Sequence, residues 1–135
     1  MHAQRIFIIL LAALLLSACT AVGDSKKAIT LDQATRYYER AIRWVDFNAA
    51  NSLRRLEGTA HYTPSPETLK RIKVTSYETL NTSSSDDNFT MNIQVEIVYY
   101  NEDTMKLVTL MDNQVWKYDV DIQSWYITTP LPAFR

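Results

Sequence analysis

Two kinds of hydrophobic pattern divide the chain near Ile72. Before that point, apolar residues recur at steps of three and four, as on one face of a helix. After it, apolar and polar residues alternate, as in strands with one buried face. The helical stripe consists of Ala34, Tyr38, Ala41, Ile42, Val45 and Ala49. The pattern predicts an α+β domain with its helices first and its sheet second.

The helical part is predicted to contain one long helix and two short ones. Thr30-Leu31-Asp32-Gln33 has the spacing of a capping box, which predicts that the first helix begins there. Helix propensity weakens around Asp46-Phe47-Asn48, so we expect a bend and then a second short helix ending at Gly58. Ser65 followed by Pro66 is a typical start for a third helical turn.

Four strands are predicted in the second half of the chain. They are residues 72–80, 89–100, 104–118 and 125–129. In the third, the alternation shifts at Asp112-Asn113, which predicts a bulge. Pro130 and Pro132 end the pairing, so the tail to Phe134 is expected to lie back across the sheet. Short loops between successive strands indicate a curved antiparallel meander with the helices on one face.

The amino terminus has the layout of a targeting signal. A positive charge at Arg5 precedes an unbroken apolar run from Ile6 to Leu16. A bilayer-spanning helix needs roughly 20 apolar residues, and a polar segment follows this run at once. The layout is therefore that of a secretory signal and not of a stable transmembrane helix.

The end of this signal contains the only cysteine of the chain. Leu16, Ser17, Ala18 and Cys19 resemble the bacterial lipobox, Leu-(Ala/Ser)-(Gly/Ala)-Cys, at every position. The resemblance implies cleavage before Cys19, attachment of lipid to its sulfur and acylation of the new amino group. A plain signal peptide with an incidental cysteine is the alternative, but it would leave a secreted chain with a reactive thiol. Thr20 stands where aspartate would retain the product at the inner membrane, which implies the outer membrane, facing the periplasm.

This interpretation divides the chain into a signal peptide at residues 1–18, a lipidated cysteine and tether at 19–29, and a single α+β domain at 30–135. Two glycines and abundant Tyr, Val, Ile and Leu are typical of a packed domain. Charge is net positive up to Lys73 and net negative beyond it. A basic helical face could meet acidic polymers of the envelope, although solvated charge on an amphipathic helix is the favoured explanation. The overall balance gives no sign of nucleic-acid binding.

The order of elements resembles the cone-shaped nuclear-transport-factor-like fold, also described as cystatin-like. The segments YYERAIRWVDFNAANSL and IKVTSYETL are similar to small bacterial lipoproteins of that superfamily. The likeness would cover most of Leu31 to Thr129, but an early strand usual in that fold is not visible. It implies a concave cup that holds a ligand or partner, or a catalytic group in the superfamily's isomerases and dehydratases. Those enzymes place Asp, His or Tyr inside the cone, whereas Phe, Met, Ile and Val are predicted there in this chain.

Few residues are candidates for catalysis or metal binding. His61 lies in a predicted loop, and Asp46 is either a buried acid at the helix bend or a cap for the second helix. Tyr99 or Tyr100 is a further candidate for a buried titratable group. The acidic turn at 119–123 lacks the glycine and distal glutamate of a calcium loop, and zinc would need a cluster of His and Cys. We assign no catalytic residue, no metal and no cofactor, and expect no enzymatic activity.

Aromatic residues are the remaining candidates for a binding surface. Around an open cup they would suit a small apolar or carbohydrate-like ligand, and on the outside a protein partner. Core packing is the alternative for most of them. The candidates for a pocket or partner surface are Trp44, Asp46, Tyr100, Trp116, Trp125 and Phe134.

Together these patterns predict a non-enzymatic binding or scaffold module, lipid-anchored in the bacterial envelope. Two alternatives remain open. One is a small-molecule enzyme with a cone pocket, similar to an isomerase or dehydratase. The other is an accessory subunit of a secretion or envelope-assembly machine, which predicts an exposed apolar patch.

Overall fold

A computed structural model describes the backbone of residues 2–55 and 64–135 and the side chains of residues 23–55 and 64–135. The helices of this part are α1 (His2–Arg43), α2 (Phe47–Ser52) and α3 (Pro66–Lys70). The strands are β1 (Ile72–Ser84), β2 (Thr90–Asn101), β3 (Leu107–Asp119) and β4 (Ser124–Ile127). All neighbouring strands are antiparallel, in the order β1-β2-β3-β4. The predicted α+β class and meander topology are confirmed.

The core lies between α1 and the concave face of the sheet, which curls without closing. α1 packs against β1 and β4, and the inward-facing residues of β2 alternate as predicted, with Val95 and Ile97 fully buried. Tyr38 and Ile42 of α1 complete this core from the helix side. The predicted stripe and the predicted strand face therefore meet each other.

α1 does not begin at Thr30. The Thr30 hydroxyl donates hydrogen bonds to the carbonyl oxygens of Lys26 and Lys27, each over 3.0 Å. This is the behaviour of a threonine inside a helix, whereas an N-cap side chain accepts a bond from an amide further along the chain. The capping-box prediction is wrong, because the chain is already helical before Thr30, and residues 23–29 of the predicted tether belong to α1.

The predicted bend after α1 is present and is closed by Asp46. Val45 has a φ of 56°, a left-handed conformation that turns the chain out of α1. Asp46 Oδ1 then accepts a hydrogen bond from the amide of Ala49 over 3.0 Å and caps α2. Of the two roles considered for Asp46, the structure has the cap.

The two short helices differ in how well their predicted bounds agree with the structure. α2 ends at Ser52, earlier than expected, and the predicted end at Gly58 lies outside the described residues, as does His61. Ser65 Oγ accepts a hydrogen bond from the amide of Thr68 over 3.1 Å, so the predicted third helical turn is confirmed.

The predicted bulge at Asp112-Asn113 is absent. The pairing of β2 with β3 continues without a shift through Val95 opposite Asp112 and Gln94 opposite Asn113. Register shifts lie instead in the pairing of β1 with β2, between Val74 and Ser76 and between Thr79 and Asn81. The apolar alternation changes in the sequence because two inward-facing residues of β3, Asp112 and Gln114, are polar and buried.

The carboxyl-terminal tail returns to the core, as predicted. The ring of Phe134 is fully buried and packs edge-on against Tyr99, with centroids 4.8 Å apart, and lies beside Phe47. Leu131 is buried with it. In the residues whose side chains are described, none of the helices has the length and hydropathy needed to cross a bilayer.

Candidate functional site

Three of the predicted surface aromatics are part of the core. Trp116 packs edge-on against Tyr38, with ring centroids 5.6 Å apart, and Phe134 fills the space between Tyr99 and Phe47. Trp125 is 3% exposed. These aromatic side chains face inward and pack in the core.

Trp125 has a second structural role at one end of the sheet. Its Nε1 donates a hydrogen bond to the carbonyl oxygen of Lys27 over 2.9 Å, and its ring packs against Tyr118. A small cavity of about 280 Å³ lies beside it, bordered by Leu31 and Met91. Trp125 thus links α1, at Lys27, to β4.

Trp44 is the exception among the predicted aromatics, because its side chain is 81% exposed. Its amide donates to the carbonyl oxygen of Arg40 over 3.1 Å, so Trp44 extends the last turn of α1. Tyr37, which is 40% exposed, and the exposed Arg40 precede it by seven and four residues. This spacing places the three side chains on one face of the helix. We refer to Tyr37, Arg40 and Trp44 as the Trp44 surface.

Grooves flank Trp44 on both sides. One has a volume of about 580 Å³ and lies between the α1–α2 bend, α3 and the start of β1, where Arg43, Lys70 and Lys73 line it. The other, of about 270 Å³, is bordered by Tyr37 and Arg40. Trp44 therefore borders both grooves.

The basic residues of α1 differ in their partners. Arg36 pairs with Asp32 and Arg43 with Glu39, each over 2.9 Å and one helical turn apart. Such pairs are typical of solvated charge along a helix, which supports that explanation for Arg36 and Arg43. Arg40 has no carboxylate within salt-bridge distance among the described residues.

The two remaining predicted site residues, Asp46 and Tyr100, lie in different parts of the fold, and His61 is outside the described residues. Asp46 borders both grooves, but its carboxylate holds the cap of α2. Tyr100 is half-buried on β2 directly after Tyr99. Because successive strand residues face opposite sides of a sheet, Tyr100 lies on the face away from the core.

A third groove, of about 480 Å³, runs between α1 and the concave face of the sheet. Leu31, Thr35 and Glu39 line it from the helix, and Tyr77 and Gln114 from the sheet. Its size falls within the range of small-molecule sites. This is the position at which a cup was expected.

A buried hydrogen-bond network forms the floor of this interior groove. Gln114 Nε2 donates to Tyr77 Oη over 2.9 Å and to Asp112 Oδ2 over 2.7 Å. Gln114 Oε1 accepts a bond from Trp116 Nε1 over 2.9 Å. Sequence reasoning missed this network because it treated Asp112 as a bulge. Uninterrupted alternation through residues 112, 114 and 116 was the signal that could have revealed it.

Burial changes the acidity of the groups in this network. It raises the pKa of Asp112 to about 6, although the hydrogen bond from Gln114 acts in the opposite direction. Burial likewise raises the pKa of Tyr77, and that of Tyr38 well above its usual value. The Tyr38 hydroxyl is buried without a hydrogen-bond partner among the described residues. The network can orient polar groups, but Asp112 itself does not line the groove.

In the acidic turn between β3 and β4, both carboxylate oxygens of Asp119 already have protein partners. Asp119 Oδ1 accepts bonds from the amides of Asp121 and Ile122, and Asp119 Oδ2 pairs with Arg55 over 2.6 Å. In the described part of the chain, no three His, Cys, Asp or Glu side chains come together as metal ligands would. The lipobox residues, Leu16 to Cys19, lie outside the described side chains.

Comparison with known proteins adds no identification. No family model matches the chain, and neither a curated protein nor a solved structure is significantly similar to it. The resemblances to the lipobox and to the nuclear-transport-factor-like fold therefore stay predictions.

Proposed function

We propose that this chain is a lipoprotein of the bacterial envelope, anchored through Cys19 at the outer membrane, whose domain binds another envelope protein without catalysing a reaction. The observation that carries the binding role is the 81% exposure of Trp44 at the end of α1. Tryptophan is highly buried on average in folded proteins, so an indole left in solvent beside a second aromatic residue suits a contact with a partner.

The composition of the Trp44 surface supports a protein partner. Trp, Tyr and Arg are the residues most enriched among those that dominate binding energy at protein interfaces. Here they stand on one helix face, and Arg40 keeps a guanidinium that no described carboxylate neutralises. The matching partner presents an apolar socket for the indole of Trp44 and a carboxylate for Arg40.

The location of this surface is compatible with an anchored protein. Residues 23 to 43 belong to α1, and a helix of that length rises by about 30 Å. The Trp44 surface is therefore far along the chain of α1 from Cys19. A partner could approach it without contacting the bilayer that holds the lipid.

Photo-crosslinking in intact cells tests this proposal. A photoreactive amino acid at position 44 should yield an adduct with one envelope protein, and Arg40→Glu should abolish that adduct. Position 105 is the matched control, because Met105 is also an exposed apolar residue, with 68% exposure, but lies in the β2–β3 turn. Absence of an adduct at position 44, or equal adducts at both positions, would contradict the proposal.

A second candidate function, a small-molecule site with or without catalysis, is favoured by the interior groove. Tyr77 and Gln114 offer polar contacts at its floor, where the Gln114 amide and the Tyr77 hydroxyl are hydrogen-bonded to each other. Native mass spectrometry of the lipidated protein, extracted gently from its host, distinguishes the two. A small molecule that stays bound to the wild type and is lost from Thr35→Trp would favour this candidate.

A further inference from the structure

The turn between β3 and β4 exposes two aliphatic side chains. Val120 is 59% and Ile122 is 61% exposed, and Asp121 lies between them. The backbone that carries them is held in place, because Asp119 accepts hydrogen bonds from the amides of Asp121 and Ile122. The turn therefore presents these apolar side chains to the surroundings in a defined conformation.

This turn lies beside the first residues of α1 whose side chains are described. Lys26 Nζ donates a hydrogen bond to Gln123 Oε1 in the turn, and Trp125, just after the turn, bonds to the carbonyl oxygen of Lys27. The β1–β2 loop is at the same end of the sheet, since Lys27 Nζ stands 4.3 Å from the ring centroid of Phe89. We call this the proximal end of the domain.

Chain length links the proximal end to the predicted anchor. Lys26 follows Cys19 by seven residues, which can span at most about 25 Å even when fully extended. A lipid on Cys19 would thus hold the proximal end close to the bilayer surface. The β2–β3 turn is at the other end of β3, whose 13 residues extend over about 40 Å.

We propose that the Val120–Ile122 turn is a second membrane contact, which inserts its two aliphatic side chains into the interface of the leaflet that holds the Cys19 lipid. This inference rests on the proposed lipid anchor. Apolar side chains gain by leaving water at the boundary between headgroups and acyl chains, and the short tether supplies them at high local concentration. The anchor and the turn together would fix the orientation of the domain on the membrane.

The charges at the proximal end indicate which force acts there. Asp86, Asp87 and Asp121 are exposed acids of the two loops, and they would be repelled by anionic lipid. Lys27 is engaged with Asp24 over 3.1 Å, and the exposed Lys26, bonded to Gln123, is outnumbered by these acids. Burial of Val120 and Ile122, and not attraction to charged headgroups, is therefore the driving force, so the contact should persist at high salt.

Site-directed spin labelling of the full lipidated protein tests the inference in vesicles of phosphatidylethanolamine and phosphatidylglycerol. Lipidation consumes the thiol of Cys19, so Ile122→Cys supplies a unique site for the label. Met105→Cys in the β2–β3 turn is the control, because Met105 is similarly exposed and lies at the far end. The label at 122 should collide preferentially with oxygen, which dissolves in lipid, and the label at 105 with an aqueous nickel chelate, at low and high salt alike.

The outcomes separate this inference from the proposed anchor. If the protein floats with the vesicles while the label at 122 is as accessible to nickel as the label at 105, the second contact is wrong and the anchor stands. If the protein does not float with the vesicles, the anchor itself has failed. Val120→Cys provides an independent site in the same turn, and an aqueous label there would also overturn the contact.

Discussion

Gln114 Nε2 donates a hydrogen bond to Asp112 Oδ2 over 2.7 Å on the buried face of β3. This is the principal stabilisation of a carboxylate that is only 8% exposed and that takes part in none of the salt bridges among the described residues. Burial accordingly raises the pKa of Asp112 to about 6. At neutral pH the domain is folded around a charge that its surroundings disfavour.

Asp112→Asn should stabilise the protein at pH 8 and change little at pH 4. The native state holds a proton on Asp112 up to a pKa of about 6, whereas the unfolded chain releases it near 3.9. Between these values the native state binds more protons, so stability falls as pH rises through the window and the penalty persists above it. The expected gain at pH 8 is on the order of 2–3 kcal/mol. Urea unfolding at both pH values measures it.

The matched control for that experiment is Asp121→Asn. Asp121 is exposed in the β3–β4 turn, so its replacement should leave the free energy of unfolding within about 0.5 kcal/mol at either pH. A pH-independent effect of Asp112→Asn, or destabilisation at pH 8, would contradict the account of the buried charge.

Gln114→Leu should destabilise the domain by about 2 kcal/mol or more, because it leaves Trp116 Nε1 and Asp112 buried without their partner. Gln94→Leu is the comparison on β2, where the side chain is exposed and bonds to Asn113. That change should stay within about 0.5 kcal/mol. Equal changes in the free energy of unfolding for the two substitutions would show that the buried network does not stabilise the domain.

Asp46→Ala should lower stability by about 1 kcal/mol through loss of the α2 cap, and Asp46→Asn should largely preserve it. Asparagine retains an oxygen that accepts the hydrogen bond from the amide of Ala49. Thermal unfolding of the two variants distinguishes the roles considered for this residue. A loss of similar size in both variants would mean that the carboxylate charge, and not its capping oxygen, matters.

Trp44→Ala should abolish partner crosslinking from a neighbouring probe at position 37 while leaving the free energy of unfolding within about 0.5 kcal/mol. Trp116→Ala, in contrast, should cost about 3–5 kcal/mol, because that indole is fully buried against Tyr38. Circular dichroism during unfolding gives both values. If Trp44→Ala destabilised the protein as much as Trp116→Ala, the indole of Trp44 would be needed for the packing of the domain and not for a partner.

The fold could be predicted from sequence where the hydrophobic periodicity is strong. The prediction failed where one residue type is compatible with two local structures. Strict alternation in β2 fixed which face is buried, and the Ser65-Pro66 pair located α3. Thr30 misled because a hydroxyl can accept a bond at a helix start or donate one inside a helix. Asp112 misled because a polar residue at an inward position imitates a bulge until its buried partner, Gln114, is recognised.

Only part of the candidate site could be predicted from the sequence. Trp44 falls outside the buried stripe that includes Ala41 and Val45, so its exposure follows from helical spacing. The burial of Trp116 and Trp125 depends on how far the sheet curls around α1, which single-strand patterns do not contain. The proximal end is also a tertiary feature, since Lys26 and Gln123 are 97 residues apart in the chain.

Metabolic labelling with palmitate tests whether Cys19 carries the lipid anchor. The wild-type chain should be processed and labelled in its host, whereas Cys19→Ser should accumulate as unprocessed precursor without label. Thr20→Ala, which changes the neighbouring residue only, should be labelled like the wild type. Normal labelling of Cys19→Ser would contradict the account, because no other cysteine in the chain could carry the lipid.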